Sequence, residues 1–228
     1  MEHSPVVSVI VPVYDNARFL HAALESVAAQ DYEPLDIIIV DDGSRDSSRA
    51  IAEAFSIRTR NARVLHQQNR GPAAARNRGL EHARGELVTF LDADDEMTQG
   101  RLTFQVRYLV DRPEVDAVVG REEITIEPGV EPPLWVRQLP PDRPTYQPVS
   151  LMVWRRWFDD VGKFEETYQI GEDTEWLSRF VSRGGRLDRV DRVVLHRRIH
   201  GGNLTYRGVG SNLMMTLHAR IRERKGRA

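Results

Sequence analysis

The chain has 228 residues, 40% hydrophobic and 29% charged, with a net charge of −2. That length buries a sizeable core in one large unit or two closely joined halves. The near-neutral balance argues against a dedicated nucleic-acid binder, and the absence of cysteine removes disulfides, thiol nucleophiles and zinc–thiolate sites.

Residues 6–11 form a β-branched run that predicts a first strand, leading into Pro12-Val13-Tyr14-Asp15. Pro12 has no N–H, so strand pairing is expected to stop there and leave backbone groups free for a planar ligand. Residues 18–30 place Leu20, Ala23, Leu24 and Val27 on one helical face. A second strand over 35–40 ends at Asp41-Asp42-Gly43-Ser44. The helix expected over 44–55 turns Ile51 and Phe55 inward, with Ser44 or Asp46 as its cap. Val64-Leu65 marks a short third strand. Arg70-Gly71 opens a third helix over 72–83, with Arg76 one turn in, and a helix start suits an anion.

The fourth strand, 86–91, runs into Asp92-Ala93-Asp94-Asp95. Three crowded carboxylates repel one another and lose hydration unless a cation neutralises them. Oxygen donors with no thiol nearby suit a hard divalent ion, which typically also grips a phosphate. Strands alternating with helices predict an α/β fold, a mostly parallel sheet with helices on both faces. Ligands then bind at the strand carboxyl ends. The clusters at 12–15, 41–44 and 92–95 are therefore expected to converge on one edge.

Beyond residue 100 the pattern predicts a helix over 102–110, a strand over 115–119 and an irregular proline-rich loop over 128–148. Order resumes over 149–157. Trp154, Trp157 and Phe158 read as core, with sugar stacking as the alternative. Glu172-Asp173 opens a helix ending near 182, either as a proton-transfer pair or as a cap. A strand over 189–195 precedes Arg197-Arg198-Ile199-His200-Gly201-Gly202-Asn203, where paired glycines indicate a tight loop. A helix over 212–225 closes the chain. The expectation is one compact unit with subregions 1–100 and 101–228. With no basic leader before an apolar stretch and no run of roughly 20 apolar residues, the expected location is the cytoplasm.

Taken in order, VSVIVPVYDN, IIIVDDGSRD, NRGPAAARNRGL, LVTFLDADD and GEDTEW resemble the inverting nucleotide-sugar glycosyltransferases of family 2, which have the GT-A fold. The resemblance runs through nearly the whole chain and is weakest between 122 and 148. It implies that Pro12, Val13, Tyr14 and Asp15 line the nucleotide site, with Asp41 or Asp42 reading the base. Arg70 and Arg76 stand beside base or phosphate. Asp92, next to Ala93, meets ribose or metal, and Asp94 coordinates Mg²⁺ or Mn²⁺ bridging the diphosphate. His200 completes the metal shell or touches the diphosphate, and Arg198 offsets phosphate charge. Asp173 is the implied catalytic base, with Glu172 in reserve.

The implied partners are a nucleotide diphosphate sugar, UDP favoured, and a saccharide, lipid-linked or peptide acceptor, with no nucleic acid. The 128–148 loop is expected to act as a lid on the acceptor side. The basic run Arg220, Arg222, Arg224, Lys225 and Arg227 reads as a frayed, solvated helix end or as contact with an anionic acceptor or the inner membrane face. A sugar nucleotidyltransferase is the rival enzyme, but it needs a glycine-rich loop and lysine where Pro12 to Asn16 stand. A degenerate nucleotide binder is the other rival, and it has no use for the charges of Asp92, Asp94 and Asp173.

Overall fold

The computed structural model describes residues 4–137, 148–168 and 170–204. Four segments become parallel strands: β1 (Val7–Val13), β2 (Leu35–Asp41), β3 (Ala62–His66) and β4 (Leu87–Phe90). They lie in the order β3-β2-β1-β4. Helices α1 (Ala17–Ala28), α2 (Ser48–Arg58) and α3 (Pro72–His82) make the crossovers. Alternate strand residues serve opposite layers. Val7, Val9 and Val11 pack with Leu20, Leu24 and Val27 of α1, whereas Ile10, Ile38 and Val40 pack with Ala73, Ala75 and Leu80 of α3. A sheet covered on both faces explains why these strands read as unbroken hydrophobic runs. Helix α3 lies so close that a Cβ on Gly79 would stand 2.4 Å from Ile10 Cγ2.

Pro12 does not end β1, which continues through Val13 opposite Asp41. Successive N–H groups of a parallel strand face opposite neighbours. Val7 N–H bonds Pro34 O on the β2 side, so the nitrogen of Pro12 faces β4. Pairing with β4 already stops at Ile10 opposite Phe90, so the missing N–H interrupts nothing. Helix α2 starts at Ser48 rather than 44 because the preceding turn is bound elsewhere. Asp15 Oδ1 accepts Arg45 N–H at 2.6 Å, and Asp46 Oδ1 caps Ser48 N–H at 2.9 Å.

The second half adds β5 (Glu96–Met97), α4 (Arg101–Val110), β6 (Ala117–Ile126), α5 (Leu134–Arg137), β7 (Leu151–Trp154), α6 (Arg156–Val161), α7 (Glu172–Ser182) and β8 (Leu187–Ile199). The same sheet continues as β4-β7-β6-β8-β5. Pairing is parallel between β6 and β8 but antiparallel at β4–β7, β7–β6 and β8–β5. The parallel expectation thus holds throughout the first half and only in part of the second. Strand β8 reaches Ile199 because β6 extends to Ile126 beside it, so Arg197 and Arg198 sit in strand rather than loop.

On the α3 face, Phe158 stacks on Trp176 at 4.4 Å and Trp176 on Phe180 at 5.4 Å. Trp157 meets Phe180 edge-on at 4.8 Å. Phe158 is therefore core, Trp157 packs half-buried against the same layer, and Trp154 packs half-buried against the opposite layer with the Arg156 guanidinium over its ring. Among the described residues no helix is long and apolar enough to cross a membrane. Residues 138–147 of the proline-rich stretch, the helix expected over 212–225 and its basic run lie outside the described residues, and within 128–137 the short helix α5 interrupts the expected irregular loop.

At the opposite end of the sheet from the acid clusters, buried Asp36 accepts Ser8 Oγ–H at 2.6 Å, Arg84 N–H at 2.9 Å and both Arg63 Nη groups. Burial alone would raise its carboxyl, but these hydrogen bonds outweigh burial and hold it below the ordinary value. A carboxyl depressed in the folded state adds stability above its unfolded pKa and loses it as pH falls through the folded pKa. Asp36→Asn is expected to lower stability at pH 7 by about 1–3 kcal/mol, and the gap to wild type should close below about pH 4. Urea unfolding across that range reads both effects; a gap independent of pH would remove the ionic contribution.

Candidate functional site

The carboxyl ends of β1, β2 and β4 share one edge, as parallel order requires, and the polar clusters meet there. Asp15 adopts a positive φ of 47°, and its N–H bonds Ser44 Oγ at 3.2 Å. Tyr14 beside it is 39% exposed and open to a ligand. Asp41 and Asp42 are both buried. Asp41 Oδ1 accepts Ser44 N–H at 3.1 Å, and its Oδ2 lies 3.3 Å from His66 Nδ1. Asp42 accepts Gln67 Nε2, Arg70 N–H and Gly71 N–H within 2.9 Å. The anion at the start of α3 is therefore the protein's own Asp42, which shapes the loop that carries Arg70. The Arg70 guanidinium reaches across to Glu166 at 2.7 Å. Close packing also selects Gly43, where φ is +79° and a Cβ would lie 2.9 Å from Asn69 N.

Arg76 joins the two halves. It is 6% exposed and donates one Nη to Asp92 Oδ1 at 2.7 Å and the other to Glu172. Burial would lower its pKa, but the charges of Asp92, Glu172 and Asp173 outweigh that and hold the guanidinium above its ordinary value. Glu172 is buried, and burial pushes its carboxyl up despite Arg76. Asp173, the next residue, is only half-buried, and its Oδ1 takes the N–H and hydroxyl of Thr174 at the start of α7. Of the pair, Asp173 has the access that proton transfer needs, while Glu172 is committed to Arg76.

Ligand oxygens of Asp92, Asp94 and Asp95 all lie within 4.8 Å of one another. Burial pushes Asp92 up, Arg76 opposes it and Asp94 reinforces it, leaving the carboxyl above its usual range. Asp95 stands well above that range for the same reasons, burial first and then Asp94 and Asp92. The set consists of hard oxygen donors with excess negative charge, and the described residues fit a divalent cation. Asp94 Oδ2 lies 3.0 Å from His200 Nε2 and 2.9 Å from Asn203 Nδ2. Arg198 N–H donates to Asp95 at 2.9 Å, while its guanidinium pairs with Glu96 at 2.6 Å and covers the Phe19 ring.

Behind the cluster lie buried charged groups to which the sequence reading gave no role. Arg197 pairs with buried Glu122 at 3.4 Å. Arg101, fully buried, bonds Thr89 and Val149 O at 2.7 Å. Burial pushes Arg101 down to about 9 against the pull of Glu122 and Asp95, so it remains a cation at neutral pH. In sequence Arg101 is an ordinary first-turn residue of an amphipathic helix, and nothing local marks it as internal.

A family model described as glycosyl transferase family 2 matches residues 8–174, and the chain belongs to that family. Glycosyltransferase GlyG of Streptococcus pneumoniae is 37% identical over 118 residues, which are 51% of this chain and 39% of that protein. Glycosyltransferase YibD of Escherichia coli, itself uncharacterized, is 42% identical over 97 residues, 42% of this chain and 28% of its own. The chain thus spans well under half the length of these relatives. Among solved structures, Staphylococcus aureus TarS 1–349 in complex with UDP-GlcNAc aligns with a TM-score of 0.73 at 21% identity, over 94% of this chain and 66% of that one. The mannosyltransferase PcManGT of Pyrobaculum calidifontis, in complex with GDP-Man and Mn²⁺, aligns at 0.70 with 23% identity, over 86% and 57%. The fold is that of the GT-A glycosyltransferases.

Replacing Arg76 by methionine strands the Glu172 carboxylate in the interior and is expected to cost about 3–5 kcal/mol of stability. Adding Glu172→Gln should recover part of that loss in urea unfolding. No recovery would show that packing, rather than the uncompensated charge, dominates at this position.

Proposed function

Taking membership of glycosyl transferase family 2 as the premise, we propose that the chain moves a sugar from a nucleoside diphosphate sugar to an acceptor hydroxyl, with inversion at the anomeric carbon and dependence on Mg²⁺ or Mn²⁺. One observation carries this reading. A single buried guanidinium holds both Asp92, at the head of the acid cluster, and Glu172, next to Asp173. A diphosphate-binding group and an accessible base are thereby held across one cleft edge.

The donor nucleotide is assigned to the edge formed by Pro12, Val13, Tyr14 and Asp15, with Asp41 and Asp42 as its wall and Arg70 at its rim. Asp92 and Ala93 face the ribose. Asp92 and Asp94 are the assigned cation ligands, with His200 beside Asp94, and Arg198 faces the phosphates. A bound divalent ion would act as a Lewis acid toward the charge that develops on the departing diphosphate. Asp173 accepts the acceptor hydroxyl's proton as the oxygen bonds the anomeric carbon. The bond to the diphosphate oxygen breaks on the opposite side, and its electron pair leaves with the nucleotide. Glu172 is committed to Arg76 and is not needed as the base.

UDP is the favoured nucleotide, and the acceptor is a saccharide, a lipid-linked sugar or a peptide bound by the second half of the chain. GlyG, YibD and TarS bear glycosyltransferase names or folds, which supports the reaction class rather than a particular sugar. A cytoplasmic setting agrees with the absence of cysteine.

Two measurements test the assignment. Calorimetry should show UDP binding that requires Mn²⁺ and disappears in chelator; equal affinity in both would sink the cation role of Asp94. Asp173→Asn should leave UDP binding nearly intact while lowering transfer about a hundredfold or more, the usual scale for a general base. Asp94→Asn should weaken both. Near wild-type transfer by Asp173→Asn would move the base elsewhere.

A further inference from the structure

We propose that Asn203 is a positioning residue that locks the Asp94 carboxylate and the His200 imidazole into one donor pair for a divalent cation. The proposal rests on the cation reading above and adds a residue to which the sequence reading gave no role. Asn203 is 9% exposed and sits at the end of the loop that follows β8. Its amide offers one acceptor and two donor hydrogens, and all three are used within the site. Oδ1 accepts His200 N–H at 2.8 Å. Nδ2 donates to Asp94 Oδ2 at 2.9 Å and to Arg198 O at 2.9 Å.

Two of these contacts would suffice to fold the loop. The third ties the loop to a carboxylate of the segment that follows β4, the same oxygen that His200 Nε2 approaches at 3.0 Å. An amide donor orients a carboxylate without bringing a competing positive charge, so the rotation of Asp94 is restricted in favour of a cation. The loop is shaped to place this amide. Gly201 takes a φ of +77°, and a Cβ on Gly202 would lie 3.2 Å from the His200 ring. On its other face the imidazole meets the Phe19 ring at 4.5 Å. Asn203 thus fixes the His200 backbone and the Asp94 carboxylate together, while Phe19 packs against the imidazole.

The test measures Mn²⁺ binding directly, by electron paramagnetic resonance with no nucleotide present, on wild type, Asn203→Ala, His200→Ala, the double variant and Asp94→Asn. Asn203→Ala is expected to weaken Mn²⁺ binding about tenfold or more, the usual loss when an outer support of a metal ligand is removed. In transfer assays it should raise the Mn²⁺ concentration at half-maximal rate while kcat at saturating Mn²⁺ stays within about threefold of wild type. Because Asn203 acts partly through His200, the double variant should lose less than the two single losses combined. Wild-type affinity in Asn203→Ala, or full additivity in the double variant, overturns the proposal. Should Asn203→Ala fail to fold, Asn203→Ser is measured in its place, where a loss of about threefold or more is expected and unchanged affinity is the contrary result. If Asp94→Asn binds Mn²⁺ as wild type does, the cation reading itself fails. If that variant loses binding and Asn203→Ala keeps it, only the role of Asn203 falls.

Discussion

Arg76 is the constraint on which the rest of the site depends. A buried guanidinium is costly unless its charge is matched and its hydrogen-bonding groups are satisfied. Here it is matched by two carboxylates 80 residues apart in sequence, Asp92 at the end of β4 and Glu172 at the start of α7. The planar fork of arginine can meet two partners at once in fixed directions, which a lysine ammonium cannot reproduce. Placing Arg76 inside requires α3 to lie tight on the sheet, and the small residues Ala73, Ala74, Ala75 and Gly79 allow that approach. A helix whose sheet-facing side is lined by small residues thus carries the side chain that links Asp92 to Glu172.

The acid cluster is held at an energetic cost that the surroundings offset. Asp92, Asp95 and Glu172 all stand above the ordinary carboxylate range because burial and mutual repulsion disfavour their charged forms. Behind them Arg197 and Arg101 supply buried positive charge, with Glu122 between. Such a network contributes little net stability by comparison with an apolar core of the same shape. Stability comes instead from the two hydrophobic layers, including the stack of Phe158 from α6 on Trp176 and Phe180 of α7. That stack also fixes where α7 begins, and so where Glu172 and Asp173 point.

In sequence, the β-branched runs and the helical spacing of Leu20, Leu24 and Val27 were legible because local physics governs them. The same holds for the convergence of 12–15, 41–44 and 92–95, which follows from parallel strand order alone. The aromatic segment at 154–158 read correctly as core. Less legible were features fixed by a distant partner. Pro12 lies within a strand because the neighbour it would have disrupted ends earlier. Arg198 lies in β8 because β6 runs on to Ile126. The two-residue strand Glu96–Met97 carries no periodicity of its own and exists only through its pairing with β8.

By itself the sequence determined the α/β class, the order of the elements through β4 and the residue types that bring carboxylates, arginines and a histidine to one edge. Those properties follow from hydrophobic period and turn chemistry, which act over a few residues. Only the tertiary structure decided how those groups divide their work. Asp42 is spent on the N–H groups of Arg70 and Gly71, Glu172 on Arg76, and Asn203 on Asp94, whereas Asp173 keeps partial exposure. A carboxylate's role depends on which donors reach it and how much water remains, and both are set by segments up to 109 residues away.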